Sequence, residues 1–257
     1  MSYTRMRFSL AAGIARLVFT DVARHHAVDR VFTQELAQVA RACELAPDLR
    51  AVLITAEGRD FCVGGDLREF IAERDRIQTH VLEMTVDFHA AILGFNRLRA
   101  PVVVGVNGVA AGGGFSLVCM SDLALAGRSA KFNVAYTKSG LTPDGGATFF
   151  LPRIVGAQRA FELMATNPTL SAQEAQALGI VARVVDDEAL ADELEQCVQR
   201  LAAAPAGAIG RLKTLLRAGQ SNSLEQQFDL EARAIAQGAA HPETQAALDA
   251  FFRRSQS

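Results

Sequence analysis

No CxxC pair occurs among the four cysteines, Cys43, Cys62, Cys119 and Cys197, which argues against a zinc ribbon or a disulfide framework. HExxH is absent too, and of the five histidines only His25 and His26 adjoin. Chain neighbours cannot easily face one metal, so no metal site is expected. Charge is balanced: 26 basic against 28 acidic side chains leave a net −2. That excludes a global field favouring nucleic acid or an anionic membrane, and no basic aromatic patch marks an RNA-binding surface. The opening MSYTRMRFSL lacks the apolar segment and cleavage site of a secretory signal. The thiols are therefore expected to be reduced, in a cytoplasm.

Charge is also missing locally. From Ala100 to Ser121 there is no charged side chain, and the run contains VNGVAAGGGFSLVCM. A membrane span needs about 20 apolar residues in continuous helix, but Pro101 opens this run, glycines interrupt it and Asn107 stands inside it. No membrane partner is expected. The dinucleotide fingerprint GxGxxG fails at Leu117, and no GK[ST] follows for a phosphate loop. What remains is strand, turn and helix, with Gly112, Gly113 and Gly114 at the turn. Glycines let backbone N–H groups approach a ligand, and a helix start leaves such donors unpaired with a partial positive charge. A second segment, GRDFCVGGDLREF from Gly58 to Phe70, repeats the pattern. Two such turns can aim one N–H each, from Gly65 and Gly113, at a single carbonyl oxygen.

Periodicity predicts a strand over Gly13–Phe19, a helix over Asp29–Leu45 started by Asp29, and a strand over Leu49–Gly58. A long helix over Ile77–Leu98, a buried strand over Pro101–Val106 and one more strand within Leu123–Phe132 follow. SAQE at Ser171 reads as a capping box. Beyond it the pattern is almost wholly helical, in segments Ala189–Ala204, Pro205–Ala218, Leu224–Gln237 and Pro242–Arg254. A soft boundary falls near Asp186.

FCVGGDLREF resembles the F-x-A-G-A-D-L segment of the enoyl-CoA hydratase/isomerase (crotonase) superfamily. VNGVAAGGGFSLVCMSDLALA resembles its second signature and KFNVAYTKSGLTPDGGATFFLPRIVG its third, while RHHAVD and LSAQEAQALGIVARVV fit flanking segments in the same order. The resemblance implies an α/β fold: a spiral of ββα units over residues 1–186 carrying an acyl-CoA site, then a helical region over 187–257 for oligomerisation and site cover. It also implies a homotrimer or paired trimers, an acyl-CoA thioester substrate, and no cofactor beyond the coenzyme A that belongs to the substrate. By motif position the oxyanion donors are Gly65 and Gly113, with Val63, Gly64, Asp66, Leu67, Gly112 and Ser116 around the substrate. Arg24, His25, Arg59 and Lys213 are candidates for the phosphates of coenzyme A, and Asp66 also suits a helix cap.

Hydratases of this family place glutamates where this chain has Ser116 and Tyr136. Neither is a ready base at neutral pH, so hydration is disfavoured. Asp144, in GLTPDGG, occupies the position where double-bond isomerases of the family, 1,2-epoxyphenylacetyl-CoA isomerases among them, carry an acid beside the acyl chain. The Pro-Asp-Gly composition also suits a plain turn. A 4-chlorobenzoyl-CoA dehalogenase would use the same aspartate as nucleophile, a histidine at His89 and a tryptophan where Tyr136 stands. Isomerisation is the favoured reading; dehalogenation, hydration and a non-catalytic acyl-CoA-binding scaffold are the alternatives.

Overall fold

The computed structural model describes residues 3–254. In chain order the elements are β1 (Met6–Ala11), β2 (Ile14–Phe19), α1 (Arg30–Glu44), β3 (Ala51–Ala56), α2 (Leu67–Ala72), α3 (Ile77–Arg97), β4 (Val102–Val106), β5 (Val109–Ala111), α4 (Gly113–Met120), β6 (Leu123–Gly127) and β7 (Lys131–Asn133). Then come α5 (Ala147–Val155), α6 (Ala157–Thr166), β8 (Leu170–Ser171), α7 (Ala172–Ala177), β9 (Arg183–Val185), α8 (Leu190–Ala203), α9 (Ala206–Ala218), α10 (Leu224–Ala239) and α11 (Pro242–Arg254).

The strands form two sheets, one in the order β1-β2-β3-β4-β6-β9 and a smaller one in the order β5-β7-β8. Successive turns of chain put one strand in each sheet and then a helix: β4, β5, α4, then β6, β7, α5. In the turn before them the second strand shrinks to a bridge between Cys62 and Ala110. This is the ββα spiral. The predicted strand within Leu123–Phe132 is therefore two strands in different sheets. The chain turns at Gly127, where a Cβ would lie 2.4 Å from the Asp187 carboxylate.

Local chemistry explains the helix starts. The Asp29 side chain accepts from the Phe32 N–H at 2.7 Å and caps α1; the capping box at Ser171 and Glu174 is complete. One face of α1 buries Phe32, Leu36, Val39 and Cys43, at the spacing of a helix that covers a core. The opposite face of the large sheet is covered by α8 through Leu190, Leu194, Cys197 and Val198. All four cysteines are free and buried. Among the described residues no helix is long and apolar enough to cross a membrane.

Candidate active site

One parallel bridge, between Val28 and Gly65, orients the first donor. Val28 gives its N–H to the Gly64 carbonyl and takes the Asp66 N–H on its own carbonyl, so Gly65 between them turns its amide away from Val28. The second donor opens α4, where a first-turn N–H has no intrahelical partner. Among the described residues, neither the Gly65 nor the Gly113 amide donates to an acceptor within the chain.

Close backbone packing brings the two turns together. A Cβ on Gly112 would lie 3.2 Å from the Gly64 Cα, and one on Gly64 would lie 3.0 Å from the Ala111 carbonyl oxygen. Both residues also have positive φ, +90° at Gly64 and +52° at Gly112, which L side chains rarely adopt. Gly114 answers a different need: a Cβ there would strike the Cys62 carbonyl at 2.4 Å. Of the three consecutive glycines, Gly112 meets a conformational need, Gly113 leaves an unpaired amide and Gly114 allows close packing.

These turns border a mostly apolar cavity of about 310 Å³, lined also by Val63, Leu67, Tyr136 and Asp144. Its far wall is α3, through Val81, Met84, Thr85 and Phe88, and Val28, Thr33, Phe70, Ala135, Lys138, Ser139 and Leu141 complete it. Sequence reasoning did not single out those wall residues. The only signal for them is the helical spacing of 81, 84, 85 and 88, which also describes an ordinary core stripe.

The polar end of the cavity is a hydrogen-bonded group. The Tyr136 hydroxyl donates to Asp144 Oδ1 at 2.5 Å. Burial first, then the charge and hydrogen bond of Asp144, push the Tyr136 phenol well above its ordinary value, so it stays a donor. Asp144 Oδ2 has no protein partner among the described residues. One carboxylate oxygen is held, and the other is free to face the cavity.

Several sequence candidates lie elsewhere. Ser116 is fully buried behind the cavity wall, with Oγ donating to the Asp144 carbonyl at 2.9 Å and lying 3.3 Å from the Tyr136 hydroxyl. His89 sits on the outer side of α3, does not line the cavity, and accepts the Gly145 N–H on Nε2 at 3.2 Å. Lys213, a candidate for the phosphates of coenzyme A, is 6% exposed and committed to Asp122 at 2.5 Å and the Ala100 carbonyl at 2.9 Å. That burial precludes a phosphate role within the chain. Arg24 is paired with Asp21, Asp29 and Asp66. Asp66 caps α2 through the Arg68 N–H. His25 is exposed, outside the cavity, with Nδ1 on Asp60 at 2.8 Å, and Arg59 is a surface residue.

Two unpaired amides beside an apolar cavity, with one carboxylate at its end, are suited to holding an oxygen that gains charge while a proton moves nearby. The spiral and this site define a class, and the comparisons agree with it. The Enoyl-CoA hydratase/isomerase family matches residues 9–257, and the chain belongs to that family. It is 35% identical over 221 residues to the 1,2-epoxyphenylacetyl-CoA isomerase of Escherichia coli (strain K12), covering 85% of this chain and 84% of that protein. It is 32% identical to the 4-chlorobenzoyl coenzyme A dehalogenase-2 of an Arthrobacter species, over 90% of this chain and 84% of the relative. A crystal structure of an enoyl-CoA hydratase from Polaromonas sp. JS666 superposes with a TM-score of 0.91 at 28% identity, covering 97% of both chains. The protein is thus an acyl-CoA-processing enzyme of this family.

Proposed function

We propose that this enzyme isomerises double bonds in an enoyl-CoA thioester, with Asp144 as the single proton carrier. The observation that carries the reading is that Asp144 is, among the described residues, the one carboxylate lining the cavity that Gly65 and Gly113 border. A 3-enoyl thioester would seat its carbonyl oxygen on those two amides. Asp144 Oδ2 takes the proton from C2, and the C–H electron pair moves into a dienolate whose oxygen the amides stabilise. The same carboxyl then delivers the proton to C4, giving the conjugated 2-enoyl thioester. One carboxylate suffices because no water is added, and the sequence needs no resident cofactor, since coenzyme A belongs to the substrate.

Hydration is disfavoured by the same geometry. At the two positions where the family's hydratases carry glutamates, Ser116 is sealed from the cavity and Tyr136 spends its proton on Asp144. The apolar side chains left outward on α10 and α11, Phe228, Ile235 and Leu248, support assembly into trimers or paired trimers. A cytoplasmic location fits this reading.

The test is incubation with 3-hexenoyl-CoA in D2O. The expected product is 2-hexenoyl-CoA, with deuterium at C4 wherever the carboxyl exchanges before delivery. Hydration of 2-hexenoyl-CoA to the 3-hydroxyacyl thioester, with 3-hexenoyl-CoA left unchanged, would instead establish a hydratase. Chloride release from 4-chlorobenzoyl-CoA without isomerisation would establish a dehalogenase.

A further inference from the structure

Asp144 is followed by Gly145 and Gly146, both at positive φ, +57° and +78°. A loop of that composition has little stiffness of its own, yet it must hold a carboxylate at a fixed place. Its rigidity comes from outside. The Asp144 carbonyl and the Gly145 N–H belong to one peptide plane, whose six atoms turn together. Ser116 Oγ donates to the carbonyl at 2.9 Å, and His89 Nε2 accepts from the N–H at 3.2 Å. A Cβ on Gly145 would lie 2.5 Å from Phe88 and 2.9 Å from the Ser116 Cβ, so the plane is wedged between the same two helices that bond it.

We propose that His89 and Ser116 are positioning residues that grip the Asp144–Gly145 peptide from its two edges, fixing the Asp144 carboxylate relative to the oxyanion donors. The inference rests on the isomerase reading above for its kinetic consequence, but not for its geometry. Ser116 stands on α4, which also supplies the Gly113 amide. His89 stands on α3, next to Phe88 of the cavity wall. The clamp therefore ties the proton carrier to both the oxygen-binding helix and the acyl-binding helix. A nitrogen that accepts an amide proton carries none itself, so the neutral ring holds its proton on Nδ1. With Nε2 occupied, His89 is not placed to activate water against an aspartyl ester.

Misplacement of a reacting group by about 1 Å can cost 10²-fold. His89→Leu and Ser116→Ala are each expected to lower kcat for 3-hexenoyl-CoA by about tenfold to 10²-fold, with KM within about twofold because no cavity contact is lost. His89→Gln, whose Oε1 accepts at the place of Nε2, is expected to recover most of that loss. The two lesions release one peptide, so the double variant should lose less than the product of the single losses.

A second readout does not depend on turnover: ¹⁵N-histidine NMR, with the His89 signals identified by their absence in His89→Gln. It should show Nε2 unprotonated, and exchange of the Gly145 amide should accelerate in His89→Leu. The clamp is overturned by an Nε2-protonated ring, by wild-type kcat in folded His89→Leu, or by His89→Gln as impaired as His89→Leu. Wild-type protein inert on 3-hexenoyl-CoA would count against the isomerase reading, and the NMR and amide exchange would then decide the clamp.

Discussion

Replacing Gly112 by alanine separates the proposed oxyanion site from the fold. The new Cβ would meet Gly64 Cα at 3.2 Å and lie 3.9 Å from the Gly65 nitrogen, at a backbone φ of +52° and ψ of −122°. Backbone strain of this kind costs about 1–3 kcal/mol, and crowding a packed contact adds about 1–3 kcal/mol. Against a domain stability of about 5–15 kcal/mol, most of the protein should still fold. The strain is relieved by moving Gly64 and Gly65 away from Gly112, which draws one amide off the shared oxygen. Loss of one oxyanion donor costs about 2.7–4 kcal/mol, a fall of 10²–10³ in kcat. Gly179→Ala is the control: its φ is +77° but the nearest atom to the new Cβ is Ile154 Cγ2 at 3.8 Å. It should lower the melting temperature and leave kcat unchanged. Thermal melting by circular dichroism and kcat for 3-hexenoyl-CoA decide the matter. Gly112→Ala with normal kcat, or Gly179→Ala with the same kcat loss, would refute the reasoning.

The Lys213–Asp122 pair should act as a staple between α9 and the spiral. Asp122→Ala leaves a buried ammonium uncompensated and is expected to cost about 3–5 kcal/mol in urea unfolding, whereas Lys213→Met should cost less because Arg217 still pairs with Asp122 at 3.1 Å. Burial pulls Lys213 down to about 8 against the opposing charge of Asp122. Between that value and about 10.4 the unfolded chain holds more protons. The stability of wild type relative to Lys213→Met should therefore rise with pH through this window, and a flat difference would contradict it. Ile235 is 74% exposed in the single chain. Sedimentation should give a multiple of the 27.5 kDa chain mass, and Ile235→Glu should shift it toward monomer; a wild-type monomer at micromolar concentration would contradict the assembly.

What the sequence disclosed was mostly local. Asp29 and Ser171 announce their helices because the capping group lies three residues from the amide it serves. The two glycine turns were legible because only backbone chemistry explains them. Contacts between distant segments were not. Lys213 is a phosphate candidate in the sequence because nothing near it there reveals Asp122 as its partner. The sequence predicts one strand within Leu123–Phe132 because the approach of Asp187 to Gly127 is tertiary. In the sequence Ser116 stands as a substrate contact and His89 as a potential reactant, and the structure gives them hydrogen bonds to one peptide of the Asp144 loop. That role depends on how α3 and α4 meet, which no periodicity records.

The central claim is that one carboxylate, Asp144, moves the proton beside the thioester. Asp144→Asn keeps the size and leaves an amide oxygen for the Tyr136 hydroxyl, while removing the base. The measurement is the rate at which the folded variant converts 3-hexenoyl-CoA to 2-hexenoyl-CoA, beside wild type and at matched melting temperature. The expected result is a loss of about 10²–10⁴-fold, the usual share of general acid–base catalysis. Near wild-type conversion by Asp144→Asn would contradict the account.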